Sequence, residues 1–483
     1  MLRKPRIGLL TFSDGREYTH VPQIQENLDF QSNLAARLEE LGLEVVTGDL
    51  VWSNATAQAE ARKLAQAEVD ATIFNYAVWA FPQFSVVASH FAPGPILLFG
   101  QVNPAKPGMV SVLAAAGALE QIGRVPARVF GSIREPEVER EVLAFARGAH
   151  AARALKGQTF GLVGGRSIGI NTAVSNTDQL ARVFGVDVEH IDQLEIVARA
   201  ERIQAEEGAK VKAARAWLEG KVRKVDYDGQ QLTPALLERQ IASYYAAKEL
   251  IAKFGLDFMG IKGQPELTER FATMDLAEAF LNDPYDWDGP HEPFVCSTEA
   301  DTDAALTMQA LKHITGTPVL FADVRHYLRD HGLLDLVNSG EHATYFAARS
   351  LNPDENLKLV DLRPQGFYFP AGGAAVCHVA APGEATFARL SRLDGRYRLH
   401  VLRGEFVRLD EQTEAGIIEE VQPNWPHAFA KLGCTERAFL QNFPANHVHA
   451  VYGNVVPELL VFARALGIDV TVLEGDEARR IPA

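Results

Sequence analysis

Over the first third of the chain, short apolar runs alternate with longer stretches whose apolar positions recur at helical spacing. RIGLLTF reads as an opening strand, 23–41 as a helix ended by Gly42, LEVVTGDL as a second strand and 57–67 as a helix. DATIFNYAV and PILLFG follow as third and fourth strands. This alternation predicts a parallel sheet with helices on its faces. A charged helix over 135–156 leads into TFGLVGG, a fresh strand, which sets a first domain boundary near residue 155. The alternation then resumes with GLVGGRSIGI, VDVEHID, a polar helical region to Gly220 and a long helix over 233–254. From residue 367 the pattern breaks into short runs bounded by Gly and Pro. TFARL and YRLHVL, separated by DG, read as an antiparallel hairpin. A final helix–strand pair, VVPELLVFARALG and IDVTVLEG, closes the chain. The predicted fold class is α/β, two α/β domains with parallel sheets followed by a β-rich C-terminal domain.

Within this pattern, Glu299 and Asp323 each follow a short apolar run, and one helix-length segment separates them. The runs at 294–298 and 319–322 read as buried strands. Between them Ala304, Leu306, Met308, Leu311 and Ile314 mark a helix, with Thr302 or Asp303 as its N-cap. A strand–helix–strand unit predicts two parallel strands with both acids at the carboxyl-terminal edge of one sheet, where open α/β sheets bind ligands. Two carboxylates so close require a cation or a shared proton, so the pair points to a metal site or an acid/base pair. A routine helix-capping role competes for each acid taken alone.

Composition narrows the classes. A chain of 483 residues is too long for one core and predicts two or three domains. The apolar share of 47% and charged share of 23% are those of a soluble globular protein. A net charge of −15 argues against nucleic acid or an anionic membrane as partner. The three cysteines, Cys296, Cys377 and Cys434, are widely spaced and offer neither a disulfide framework nor a zinc motif. No leader and no run near the ~20 residues of a membrane span are read, so a cytoplasmic protein is expected.

A third group beside the acids would come from His326, His331, His342, His378, His427, His447 or His449. NFPANHVHAVYGN places His447 at a loop-to-helix junction, and two histidines two residues apart cannot share a helical face, so one of His447 and His449 is the candidate. Two carboxylates, one imidazole and water suit Mn²⁺ or Mg²⁺ better than zinc. Such a cation can polarise a carbonyl beside a hydroxyl-bearing carbon, the chemistry that interconverts aldoses and ketoses. GGRSIG at 164–169 lacks phosphate-loop spacing and reads as a strand-to-helix turn lining a cleft.

YDWDGPHEPFVCSTEAD at 285–301, ITGT at 314–317 and LFADVRHY at 320–327, with VNSG at 337–340 and ANH at 445–447, resemble the L-fucose isomerase family along nearly the whole chain. The resemblance implies that Glu299 and Asp323 are metal ligands doubling as acid/base groups, that His447 is the third ligand, and that Mn²⁺ is the cofactor, with Mg²⁺ or Co²⁺ as substitutes. It implies substrate contacts at Arg16 (IGLLTFSDGR), Trp79 (NYAVWAFP), Ile168 (GGRSIGI), Lys262 (GIKGQ), Ser339, Trp425 (PNWP) and Asn446. It implies domains over 1–155, 156–315 with Glu299, and 316–483 with Asp323 and His447. It further implies a homo-hexamer, or a trimer, with Trp79 reaching a neighbour's sugar. The expected activity is isomerisation of a pentose or 6-deoxyhexose (L-fucose, D-arabinose or L-arabinose type) through a cis-enediol. A sugar-binding protein without turnover, or another metal-dependent enediol enzyme, is the alternative. This chain departs from the family where a glutamine is replaced by Lys262 or displaced to Gln264, where a methionine becomes Ile168, and where a tyrosine near 371–376 is absent.

Overall fold

The computed structural model describes residues 3–102, 105–339, 342–366 and 368–482. Gly340 of the VNSG block and Phe367, where the pattern changes, lie outside the described residues. The chain forms two compact units, Met1–Ala154 with Pro457–Gly467, and Leu155–Val456 with Ile468–Ala483.

In the first unit five strands run parallel in the order Glu44–Thr47, Arg6–Phe12, Ala71–Tyr76, Ile96–Gln101, Ala127–Gly131. Ala71–Tyr76 is buried at every position, as a central parallel strand covered on both faces must be. Leu10, Phe74 and Leu98 enter one core layer, and Ile7, Ile73 and Leu97 the other. The helix Gly108–Glu120 escapes the sequence pattern because it exposes Met109, Val110 and Leu113 while burying Val112, Ala115 and Leu119, so no apolar stripe stands out.

The second unit contains a four-stranded parallel sheet in the order Cys296–Thr298, Phe258–Ile261, Thr159–Val163, Asp187–Ile191. Its larger sheet has eight strands in the order Gly383–Leu393, His447–Tyr452, Leu320–Leu328, Leu333–Val337, His427–Leu432, Arg396–Phe406, Asp469–Glu474, Glu477–Ile481. Gly383–Leu393 also pairs with Arg396–Phe406 and closes the first six strands into a barrel. The DG turn of that hairpin has both residues at positive φ, 51° at Asp394 and 73° at Gly395, as a tight hairpin turn requires. Leu320, Ala322, Phe387, Leu402, Ala430 and Val448 fill the barrel.

This topology corrects the parallel pairing expected around Glu299. The strand before Glu299 is the edge of the parallel sheet, whereas the Asp323 strand lies in the barrel, antiparallel to its neighbours on both sides. The intervening helix, Thr302–Thr315, crosses from one sheet to the other. A three-residue run such as Cys296–Thr298 carries no signal of which partner it takes. His447 likewise opens a strand, not a helix. In a strand, residues two apart share a face, so the helical argument separating His447 from His449 does not apply.

No described helix is long and apolar enough to cross a membrane. Among the described residues, Cys296, Cys377 and Cys434 form no disulfide.

The barrel unit also buries His378 beside His342, with ring centroids 6.1 Å apart. His378 Nδ1–H donates to the Val376 carbonyl at 3.2 Å, and Nε2 has no partner. Burial pushes its pKa down to about 4. As pH falls from 6.5, the unfolded chain takes up this proton and the folded chain does not until about pH 4, so His378 costs stability over that window. Asp275 and Asp283, both raised to about 7 by burial, act in the opposite direction, so the test reads a difference. The stability gap between His378→Gln and the parent chain should shift in the variant's favour by up to ~1.4 kcal/mol per pH unit between these limits. Denaturant unfolding at pH 7, 6 and 5 measures it. A gap independent of pH would contradict a neutral buried His378.

Candidate active site

Glu299 stands in a turn of unusual backbone. Glu299 and Ala300 adopt φ of 57° and 52°, conformations that L residues hold only when their surroundings over-determine them. The surroundings do. Ala300 N–H donates to the Ile261 carbonyl at 3.0 Å, Asp301 N–H to Thr298 at 3.1 Å, and Ser297 Oγ to the Asp301 carbonyl at 3.0 Å. Gly260 makes room for the turn, because a Cβ there would meet Ser297 Oγ at 2.6 Å and Ala300 Cα at 3.0 Å.

Asp323 arrives from the barrel. It pairs with Val337 on one side and His447 on the other, and the ladder shifts register immediately after it, between Val324 and His326. Such a bulge bends the strand and re-aims side chains. Asp323 and His447 are direct cross-strand partners, so their side chains leave the same face. His447 Nε2 lies 2.8 Å from Glu299 Oε2 and 3.4 Å from Asp323 Oδ1. Two sheets thus deliver the predicted triad to one point.

The orientation of His447 comes from a residue the sequence reading had passed over. Asp301 Oδ2 accepts from His447 Nδ1 at 2.6 Å. The same carboxylate caps the Thr302–Thr315 helix through Ala304 N–H at 2.9 Å, in place of the expected Thr302 or Asp303. It also receives both terminal nitrogens of Arg389 at 2.9 and 3.1 Å, with both side chains fully buried. Burial raises the Asp301 pKa, but Arg389 and His447 outweigh it and hold the carboxyl well below its usual range. Burial likewise disfavours the His447 imidazolium, yet Asp301, Asp323 and Glu299 outweigh it and raise the imidazole above its usual range. His449 points to Arg389 instead, with Nε2 accepting at 3.3 Å.

With Nδ1–H on Asp301, Nε2 is the ring nitrogen that faces the two acids. Despite the short distances it makes no well-directed hydrogen bond and is fully buried. Adjacent ligands of an octahedral cation with bonds of ~2.1 Å stand about 3 Å apart, close to the two separations from Nε2. The donor set, two carboxylates and one imidazole, suits a hard divalent cation. Among the described residues, no group of three or more His, Cys, Asp or Glu side chains is placed to hold a metal ion. Glu299, Asp323 and His447 approach such a set only through the two contacts of His447 Nε2.

Glu299 and Asp323 open into a cavity of about 250 Å³. Ile168, Ser339, Trp425 and Asn446 line it, and Asn446 Nδ2–H donates to Asp323 Oδ1 at 3.3 Å. Lys262 does not line it. Its Nζ pairs with Glu266 at 2.8 Å, and Gln264 takes the cavity position, 3.5 Å from Glu299 Oε1. Arg16 and Trp79 belong to the first unit, after the neighbouring strands Arg6–Phe12 and Ala71–Tyr76. Arg16 is held by Asp14 through Nε at 2.9 Å and Nη2 at 2.5 Å. Arg325, unpredicted, lines the cavity with its guanidinium 4.9 Å over the Trp425 ring. Its place two residues beyond Asp323 on one strand was the available signal. A larger groove of about 540 Å³ on the barrel gathers charges that already pair, Arg403 with Glu384 and Lys431 with Glu405.

Family models of L-fucose isomerase match the chain in three pieces: the first N-terminal domain over 4–157, the second over 248–316 and the C-terminal domain over 336–474. L-fucose isomerase of Citrobacter koseri is 24% identical, covering 98% of this chain and 94% of its own. That of Streptococcus pneumoniae is 25% identical with the same coverage, 98% and 94%. Among solved structures, an ABC transporter solute-binding protein from Agrobacterium vitis, bound with alpha-D-tagatopyranose, aligns over 65% of this chain and 90% of its own at 12% identity and a TM-score of 0.15. On its three domain matches and its full-length relatives, the chain belongs to the L-fucose isomerase family, a family of aldose–ketose isomerases.

Proposed function

We propose that this isomerase depends on a divalent cation, Mn²⁺ with Mg²⁺ or Co²⁺ as substitutes, held by Glu299, Asp323 and His447. The observation that carries the reading is the approach of His447 Nε2 to both carboxylates, at 2.8 and 3.4 Å. The bound cation would polarise the C1 and C2 oxygens of an open-chain aldose and make the C2 hydrogen acidic.

The side chains then divide the proton traffic. One carboxylate of the Glu299–Asp323 pair takes the C2 proton while the other, carrying a proton, gives it to O1, and a cis-enediol forms. The second acid then takes the O2 proton as the first returns its own to C1, leaving the ketose and both acids as they began. The two acids share one site and titrate as a pair. His447 takes no part in the transfer, because Nε2, the nitrogen that faces the acids, is the one committed to the cation. Ser339, Trp425, Asn446, Ile168 and Gln264 supply the walls that read the sugar, a pentose or 6-deoxyhexose of the L-fucose, D-arabinose or L-arabinose type. Family resemblance alone supports the remaining parts: a cytoplasmic homo-hexamer of three-domain subunits (1–155, 156–315, 316–483), with Arg16 and Trp79 reaching the sugar.

Turnover of L-fucose or D-arabinose with Mn²⁺ in D₂O should place deuterium at C1 of the ketose, read by NMR. Complete retention of the substrate hydrogen would establish a hydride shift instead. Glu299→Gln should lower kcat by about 10²–10⁴-fold; a metal-replete, fully active variant would refute the site. Asp301→Asn keeps a competent helix cap but weakens the hold on His447. It should lower Mn²⁺ affinity by about 10–100-fold, measured by calorimetry. Unchanged affinity would reduce Asp301 to a helix cap.

A further inference from the structure

Behind the sugar cavity lies a buried polar bridge that the reaction does not use. Asp275, the first residue of the helix Asp275–Asn282, is 4% exposed, and Gln365, just past the strand Asp361–Pro364, is 2% exposed. Neither lines the cavity. Each holds a residue that does. Ser339 Oγ–H donates to Asp275 Oδ1 at 3.0 Å. The Gln365 amide nitrogen donates to Asp275 Oδ2 and to the Ser339 carbonyl at 2.6 Å. The Gln365 amide oxygen accepts from Trp425 Nε1–H at 2.8 Å. Both N–H groups and the oxygen of that amide are therefore engaged, and its orientation has one solution.

We infer that Asp275 and Gln365 are positioning residues that set how the cavity wall reads the sugar. The inference rests on the isomerase reading. An ionised carboxylate only accepts, so the Ser339 hydroxyl proton is taken up by Asp275 and Oγ faces the cavity with lone pairs. Ser339 thus recognises a sugar hydroxyl as donor. Trp425 has its one donor taken up by Gln365 and offers the cavity only its ring, which suits a C–H face of the sugar. One wall position reads a hydroxyl and the adjacent one reads an apolar face. Both settings come from three different chain segments meeting at Gln365. Burial pushes the Asp275 carboxyl up to about 7, against donors from Thr273, Ser339 and Gln365, so the bridge is best tested at pH 8.

The test uses the full chain with Mn²⁺, with L-fucose and D-arabinose as probes and 5-fluorotryptophan incorporated. Trp425→Phe identifies the Trp425 ¹⁹F resonance among the five tryptophans. Asp275→Asn keeps its amide oxygen on Gln365 and turns its NH₂ to Ser339, whose hydroxyl then accepts and presents its proton to the cavity, and should raise KM about tenfold with kcat and Mn²⁺ affinity little changed. Gln365→Met should also raise KM, and it should move the Trp425 resonance. The double variant Asp275→Asn, Gln365→Glu returns the Ser339 proton to the amide oxygen at position 275, while losing the donor to the Ser339 carbonyl, and should recover part of the KM lost in Asp275→Asn. A merely structural role would lower the melting temperature without this KM split or this recovery. Unchanged KM in both single variants, or an unmoved Trp425 resonance in Gln365→Met, would overturn the inference. If the parent chain turns over neither sugar, nor any other pentose or 6-deoxyhexose, the isomerase reading fails, and the ¹⁹F resonance still decides whether the bridge holds Trp425.

Discussion

The carboxylate of Asp301 is the point at which helix, barrel and candidate metal ligand are tied together. It caps the helix that follows Glu299, binds Arg389 of the barrel through two nitrogens, and holds Nδ1 of His447. A buried ion pair contributes little net stability, because the desolvation of both charges offsets their attraction. Its value here is geometric. Glu299 lies two residues before Asp301 in a strained turn, and His447 sits on a strand of another sheet. Without a shared anchor, nothing in the local sequence of either would bring Glu299 and His447 Nε2 to 2.8 Å.

That dependence explains what could and could not be read from the chain. Glu299 and Asp323 were legible because each terminates or interrupts an apolar run, and acids in that position are conspicuous. Their topology was not. A three-residue strand and a nine-residue strand flanking one helix look like a parallel unit, yet the second strand finds both partners, Leu333–Val337 and His447–Tyr452, later in the sequence. Pairing of that kind is decided by tertiary contacts and leaves no local trace. The strand at His447 was misread for a related reason. HVHAVY alternates, but the preceding Pro and Asn resemble a helix start, and a buried strand with two histidines carries little hydrophobic signature.

Asp301 itself was hidden by its ordinariness, since an acid before a helix is a routine cap. Only the arrival of Arg389 and His447, from 88 and 146 residues further along, gives it its further roles. The displacement from Lys262 to Gln264 follows the same logic. Their sequence positions left both candidates open, and the ion pair of Lys262 with Glu266 separates them. The outline of the fold survived these errors because alternation of strand and helix, and the DG hairpin, are encoded within short windows.

The site therefore consists of two carboxylates whose chemistry is visible in sequence and a supporting layer, Asp301 with Arg389 and Asp275 with Gln365, visible only in three dimensions. Anomalous diffraction at the manganese edge, on crystals grown with Mn²⁺, addresses the central claim most directly. A single strong peak bonded to Glu299, Asp323 and His447 Nε2, with Asp301 outside bonding distance and still on Nδ1, is the predicted result. A peak at Asp301, or saturating manganese that leaves these three side chains unliganded, would contradict it.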